Sequence, residues 1–330
     1  MLTWPHAQSD WAPILHEVEP VFTAIAAAIA RYETVLIACH DESVRDQVAR
    51  QLRAAGVPDA RARLHVAPAN DTWARDHGPI TVLCRTEPTL LDFGFNGWGG
   101  KYAHDLDNLI TRRLHAQGVF GDAPLETVHL ILEGGSIEVD GQGTLLTTAR
   151  CLLAPTRNPG LSRAQIEARL AEILGITRFL WLEHGYLAGD DTDSHIDTLA
   201  RLCDAQTIAY VACDDPVDEH YIDLKAMEAE LQAFRTANGS PYRLVPLPWP
   251  RAKVDDEGAR LPATYANFLI INDAVLVPTY RDPADDTALA RLRDCFPDRV
   301  VIGIDCLPLI YQHGSLHCVT MQIPTGVLPP

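Results

Sequence analysis

The sequence predicts an α/β fold built from five repeats of one strand–helix–strand–strand unit. Three observations lead there. Short apolar and β-branched runs alternate along the chain with stretches of helical period. The leading strand of each unit starts near 34, 90, 144, 207 and 274, so successive starts differ by 56, 54, 63 and 67 residues. With 47% apolar and 22% charged residues among 330, the chain can bury a large core and does not read as disorder, collagen or coiled coil. Repeats of this length suggest a circular or solenoid array. The competing expectation is an irregular α/β domain that merely alternates.

The elements follow in order. Unit one has a strand at 34–39, a helix from Glu42 ending at Gly56, a strand at 62–66 and an apolar run at 79–83 that turns at Thr86-Glu87-Pro88 into 89–93. Unit two has a strand at 90–95, a helix at 103–116, a strand at 127–132, and 137–139 turning at Asp140-Gly141-Gln142-Gly143. Unit three has a strand at 144–148, a helix at 163–174 that Ser162 can cap and Gly175 can end, and a strand at 178–182. Unit four places a strand at 207–212, a helix at 224–234 and a strand at 242–247. Unit five places a strand at 274–278, a helix at 287–295, a strand at 299–304 and a last strand at 316–322.

Composition narrows the function classes. The balance of 27 basic and 44 acidic residues, net −17, opposes binding to a phosphate backbone and favours cationic ligands, or is simply an acidic surface. No apolar run reaches the ~18 residues of a membrane span, 22–30 being the longest weakly polar stretch. The N-terminal segment lacks a basic region and an export core. Eight cysteines without a CxxC pair or regular spacing point to neither a disulfide frame nor a zinc ribbon, and a reducing cytoplasm is the expected compartment.

Polar residues recur just before or within the last strand of each unit: Trp73-Ala74-Arg75-Asp76, Glu133-Gly134-Gly135, His195-Ile196-Asp197, Asn267 and His317-Cys318. If the units close around an axis, these positions converge at one end of it. Each has a plainer reading: a turn acid at Asp76, an exposed acid at Glu133, a satisfied core amide at Asn267, an inert thiol at Cys318, a hydrogen-bonded histidine at His195. His195 and Asp197 are harder to set aside. On a strand they face one side, where a base and an acid are costly unless used or paired. In an extended segment His317 and Cys318 point apart, which makes His195 the better base for Cys318. A metal cluster of His313, His317 and Cys318 would need a helix, and Gly314-Ser315 opposes one, so no metal is expected.

The motifs Trp73-Ala74-Arg75-Asp76-His77-Gly78-Pro79, Phe95-Asn96-Gly97-Trp98-Gly99-Gly100-Lys101, Leu132-Glu133-Gly134-Gly135-Ser136, Gly189-Asp190-Asp191-Thr192-Asp193-Ser194-His195-Ile196-Asp197, Tyr265-Ala266-Asn267-Phe268 and His317-Cys318 resemble the agmatine deiminase and bacterial-type peptidylarginine deiminase family. The likeness covers nearly the whole chain. It implies the five-bladed pseudo-symmetric α/β propeller of the guanidine-modifying superfamily, with 1–330 as a single catalytic domain. It implies a nucleophile at Cys318, a general acid–base at His195 and guanidinium-holding carboxylates at Asp76 and Asp197, with Glu133 and Asn267 lining or supporting the site. The chain departs from the family pattern at Ser194, where relatives often carry glycine, and at His313-Gly314-Ser315-Leu316, where a glycine-rich run is common.

The implied reaction is hydrolysis of agmatine to N-carbamoylputrescine and ammonia through an amidino-cysteine, within putrescine formation. A guanidinium is a planar cation with five N–H donors, so carboxylates at its edges hold it and leave its face to a soft thiolate. No cofactor is required, and the expected partner is a small cationic guanidine, not a nucleic acid or a membrane. The family also implies a homodimer. For the substrate's distal amine the candidates are Asp190, Asp191 and Asp193, and Trp73 and Trp98 are candidate walls for the methylene chain. The plainer readings are a solvated acidic loop and two packing aromatics. Free arginine or peptidylarginine as substrate, amidino transfer to another amine, a papain-like hydrolase and a non-catalytic guanidine binder are the alternatives. Chain order and the extra carboxylates oppose the papain-like reading.

Overall fold

A computed structural model of the chain describes residues 1–84 and 87–329. It is a mixed α/β structure, and contacts divide it into two compact units. One holds Met1–Gly134, Leu269–Leu276 and the chain from Leu316 on; the other holds Gly135–Phe268 and Val277–Ser315.

One crossover recurs five times along the described chain. Val35–Cys39 leads through the helix Glu42–Ala54 to Ala62–Val66. Glu87–Gly94 leads through Ile110–Ala116 to Leu125–Ile131, and Thr144–Thr148 through Arg163–Leu174 to Arg178–Leu182. Thr207–Val211 leads through Tyr221–Ala233 to Arg243–Leu247, and Ala274–Thr279 through Asp285–Cys295 to Val300–Asp305. In the first four the joined strands pair in parallel. Parallel neighbours need a connection of about a dozen residues or more, and the helix supplies it.

A further strand completes each three-stranded sheet. It is antiparallel for Ile80–Cys84, Ile137–Val139, Ala200–Asp204 and Leu269–Ile271. The first sheet instead adds Leu2–Thr3 in parallel, with one antiparallel bridge from Leu2 to Thr320. A separate two-stranded ribbon joins Lys253–Val254 to Arg260–Leu261.

Local chemistry explains the ends of these elements. Asp41 starts its helix by accepting from the Val44 amide at 2.8 Å. The Ser162 amide donates to the Gln165 side chain at 2.9 Å, and Gly175 closes the same helix in a left-handed conformation. Thr144–Thr148 and Thr207–Val211 are buried along their whole length, as middle strands covered on both faces are. The core of the first unit gathers Leu36, Leu90, Ile110, Leu114, Phe120 and Met321.

Several expectations require correction. The helix foreseen at 103–116 forms only over its second half, as a 3₁₀ turn Asp107–Leu109 followed by Ile110–Ala116. The backbone N–H groups of Leu106 and Asp107 donate instead to the Asn70 side chain, at 2.7 and 3.3 Å. No strand forms at 316–322, because the His317 carbonyl accepts from both the amide and the hydroxyl of Thr320, each at 3.0 Å, and closes a turn. His195 and Asp197 do not lie on a strand. His195 precedes a 3₁₀ turn, Ile196–Thr198, so the shared-face argument does not apply. Of the turn foreseen at 86–88, Thr86 lies outside the described residues, and Glu87 and Pro88 already belong to a strand.

The sequence reading also passed over the helical stretch Ala12–Ala30. Its 19 residues and mean hydropathy of 1.3 meet the requirement for a membrane span by length and composition. In the structure Val18, Phe22, Ile25, Ala26 and Ile29 form its buried side, and Glu17 and Glu19 interrupt the apolar run.

Candidate active site

Of the residues singled out by sequence, Cys318, Asp76, Glu133, Trp73 and Trp98 fall in the first unit, and Asp190, Asp191, Asp193, His195, Asp197 and Asn267 in the second, so each set is built within its own unit.

In the first unit the organising side chain is one the sequence reading did not choose. Arg75 sits in the one-turn helix Ala74–His77, all four residues of which are buried. Its amide donates to the Cys318 carbonyl at 3.1 Å. Its guanidinium reaches the His317 carbonyl at 3.4 Å, the Met321 sulfur at 3.6 Å and the Gln322 side-chain oxygen. Arg75 thus fixes the turn that carries the buried Cys318. The next residue, Asp76, is 5% exposed, and its Oδ2 accepts from Trp98 Nε1 at 3.0 Å.

Trp98 reaches that oxygen from a left-handed backbone (φ 56°, ψ 46°) between Gly97 and Gly99. Asn96 steadies this loop, its Oδ1 accepting from the Gly99 amide at 2.9 Å. The Trp98 ring meets Phe95 edge to face at 5.0 Å between centroids. Glu133 is fully buried, and the adjacent Gly134 lies so close to Arg75 that a Cβ there would stand 2.2 Å from the Arg75 carbonyl oxygen. The Glu-Gly-Gly motif therefore includes a glycine for backbone approach.

Trp73 is held by Asp71, whose Oδ2 accepts from Trp73 Nε1 at 2.9 Å and whose Oδ1 accepts from Trp11 Nε1 at 2.8 Å. Asp107 supports the same segment by accepting from the amides of Asn70 and Asp71, at 2.7 and 3.2 Å. Burial pushes the Asp71 carboxyl up to about 6 and the Asp107 carboxyl up to about 7. Burial likewise pushes His77 down to about 3, so this histidine beside Asp76 is neutral near pH 7.

In the second unit His195 and Asp197 are both buried. Asn267 donates from Nδ2 to the Asp197 carbonyl at 3.3 Å. It is itself flanked by the buried Arg201, whose Nη1 donates to the carbonyls of Ala266 at 3.3 Å and Phe268 at 2.6 Å. The acidic loop before His195 is not a loose solvated run. Asp190 accepts from the Thr192 hydroxyl at 2.5 Å and the Ser194 amide at 2.8 Å, and burial raises its pKa against those donors. Asp193 is ion-paired with Arg157 at 2.6 Å. Asp191 is half-buried beside them.

The start of this loop is pinned by His220. The Ala188 amide donates to His220 Nε2 at 2.8 Å, so the ring proton sits on Nδ1, facing Asp218 Oδ1 at 2.6 Å. Gly189 follows with φ +87°, and a Cβ there would lie 2.3 Å from the Arg260 carbonyl oxygen. Arg75, Arg157, Asp71 and the His220–Asp218 pair were not legible as site-forming, because a buried arginine or histidine looks in sequence like any surface one.

The first unit therefore sets a buried carboxylate one residue along from the arginine that fixes the cysteine's turn, and the second offers a buried imidazole with an acid two residues on. Relatives agree in extent. The agmatine deiminase of Stutzerimonas stutzeri is 34% identical over 98% of this chain and 92% of its own. A cysteine-to-serine variant of C. jejuni agmatine deiminase, solved with substrate bound, is 38% identical with a TM-score of 0.89, covering 97% of this chain and 91% of that one. A crystal structure described as a candidate arginine deiminase from Porphyromonas gingivalis is 55% identical with a TM-score of 0.91, covering 99% and 96%. Residues 1–324 match the family described as Porphyromonas-type peptidyl-arginine deiminase, and the chain belongs to that family.

Proposed function

We propose that this protein hydrolyses agmatine to N-carbamoylputrescine and ammonia through an amidino adduct on Cys318. The observation that carries the reading is the buried Asp76, held by the Trp98 indole and adjacent in sequence to the arginine that fixes the Cys318 turn. A carboxylate sequestered in this way gives a planar cation an edge to pair with and leaves its face to sulfur. Likeness to agmatine deiminases over nearly the full chain, one of them solved with substrate, supports the same reading.

In the proposed course Asp76 and Asp197 hold the guanidinium edges, with Glu133 and Asn267 supporting them. The Cys318 thiolate attacks the central carbon, a C–N bond breaks, and His195 gives its proton to the leaving ammonia. Water then attacks the amidino carbon and loses a proton to His195. The C–S bond breaks and the thiolate returns, releasing a urea-bearing product. This chemistry asks for no cofactor. Trp73 and Trp98 flank the methylene chain, and Asp191 lies toward the distal amine, Asp193 being engaged by Arg157. The five crossover sheets are read as blades of a five-bladed α/β propeller, with 1–330 acting as one catalytic domain.

A second reading, free or peptide-borne arginine as substrate, is favoured by the family description and by the Porphyromonas gingivalis structure. Ammonia release from agmatine, arginine and a peptide ending in arginine separates the two. Agmatine is expected to give the highest kcat/KM, and a higher value for either arginine substrate would replace it. Cys318→Ala is expected to abolish release; ammonia from that variant would end the covalent course.

A further inference from the structure

The two residues that lead into His195 have an unusual backbone. Asp193 and Ser194 both take left-handed conformations, each with φ 66°. L-residues adopt this region at a cost, and two in succession persist only where the surroundings over-determine them.

The surroundings here centre on one side chain. Arg157, 1% exposed, directs Nη1 to Asp193 Oδ2 at 2.6 Å and Nη2 to the Thr192 carbonyl at 2.8 Å. A single guanidinium thus grips a side chain and a backbone oxygen of the same turn, a geometry that a lysine ammonium does not reproduce. Thr148 completes the hold by donating to the Ser194 carbonyl at 2.8 Å, and the Thr192 hydroxyl accepts from the His195 amide at 3.1 Å. The chain then enters the 3₁₀ turn that contains Asp197. A buried ion pair is weak evidence for stability, since apolar replacements often serve as well. One spent on a strained turn beside a candidate acid–base fits a task of position.

We propose that Arg157 is a positioning residue, and that its pairing with Asp193 holds the left-handed turn presenting His195 and Asp197. The proposal rests on the acid–base role given to His195. It also moves Asp193 from the substrate's distal amine, where sequence placed it, to the internal clamp.

The test uses the full chain with Arg157→Lys, Asp193→Asn and each combined with Ser194→Gly. Folding is checked by circular dichroism, and kcat and KM for agmatine are read from ammonia release. His195 ring resonances are followed in ¹³C-histidine-labelled protein, assigned with His195→Ala. Both single variants are expected to lose about 10- to 100-fold in kcat, the range for a charge-assisted hydrogen bond, with KM within about threefold. They shift the His195 resonances, and Ser194→Gly restores a good part of kcat by removing the strain the clamp opposes.

Three results would overturn the proposal: kcat within twofold of wild type in both variants, unmoved His195 resonances, or a large rise in KM at unchanged kcat for Asp193→Asn. The last would return Asp193 to the substrate. If Arg157→Lys does not fold, Asp193→Asn, which removes only a charge, decides alone. Wild-type protein that deiminates none of the three guanidine substrates would remove the proposed function, and the resonance comparison would still judge the clamp.

Discussion

Replacing Trp98 with phenylalanine removes the indole donor from Asp76 and keeps an aromatic ring against Phe95. The lost contact is an N–H···O bond of 3.0 Å to a carboxylate that is 5% exposed, so water cannot readily take its place. A hydrogen bond to a charged group contributes about 1.5–3 kcal/mol. At about 1.4 kcal/mol per factor of ten, kcat/KM for agmatine should fall roughly 10- to 100-fold. The smaller ring also leaves a gap, which should lower stability by about 1 kcal/mol or more. Ammonia release gives the first quantity, and urea unfolding the second. The Asp76→Asn background supplies a control. If the indole acts through the carboxylate, Trp98→Phe costs clearly less there than in wild type. A folded Trp98→Phe enzyme within twofold of wild-type kcat/KM would refute the claim that the indole orients Asp76.

Other expectations follow from the same geometry. Gly134→Ala drives a Cβ to 2.2 Å from the Arg75 carbonyl oxygen, so the midpoint of thermal unfolding should drop markedly and an unchanged midpoint would contradict the packing described. Asp71→Asn leaves one oxygen for two indoles, and should cost about 1–2 kcal/mol and shift the tryptophan emission. Asp107 has its pKa pushed up by burial to about 7, whereas an unfolded aspartate titrates near 4. Between those values the folded chain keeps a proton that the unfolded chain has released, so this group's stabilising share is full below about pH 4 and is lost as pH rises through about 7. Asp107→Asn removes that dependence. Relative to wild type its melting temperature should therefore rise from pH 5 to pH 8, and a constant difference across that range would show that Asp107 does not titrate as described.

Much of the fold was legible before any coordinates. The strands 62–66, 137–139, 144–148 and 178–182 and the helix 163–174 form at the bounds read from sequence. Apolar period, a capping serine and a closing glycine are local signals, and in these segments the tertiary environment agrees with them. The local reading failed where backbone groups find partners far along the chain. The Asn70 side chain takes the N–H groups that a helix at 103–116 would have begun with, and the turn closed by Thr320 replaces the strand expected around Cys318.

The chemistry divides in the same way. Residue types carry reactivity, so the sequence alone could single out a cysteine, a histidine and their acids, and motif resemblance could give them roles. Which partner each one has is a matter of distance between segments tens to hundreds of residues apart. Only the folded chain decided that Arg75 fixes the Cys318 turn from 243 positions away (318 less 75), that Trp98 aims Asp76, and that Arg157 holds the turn before His195. Burial decided the rest, because desolvation sets whether Asp71, Asp107 and His77 carry charge, and no residue's letter records how much water surrounds it.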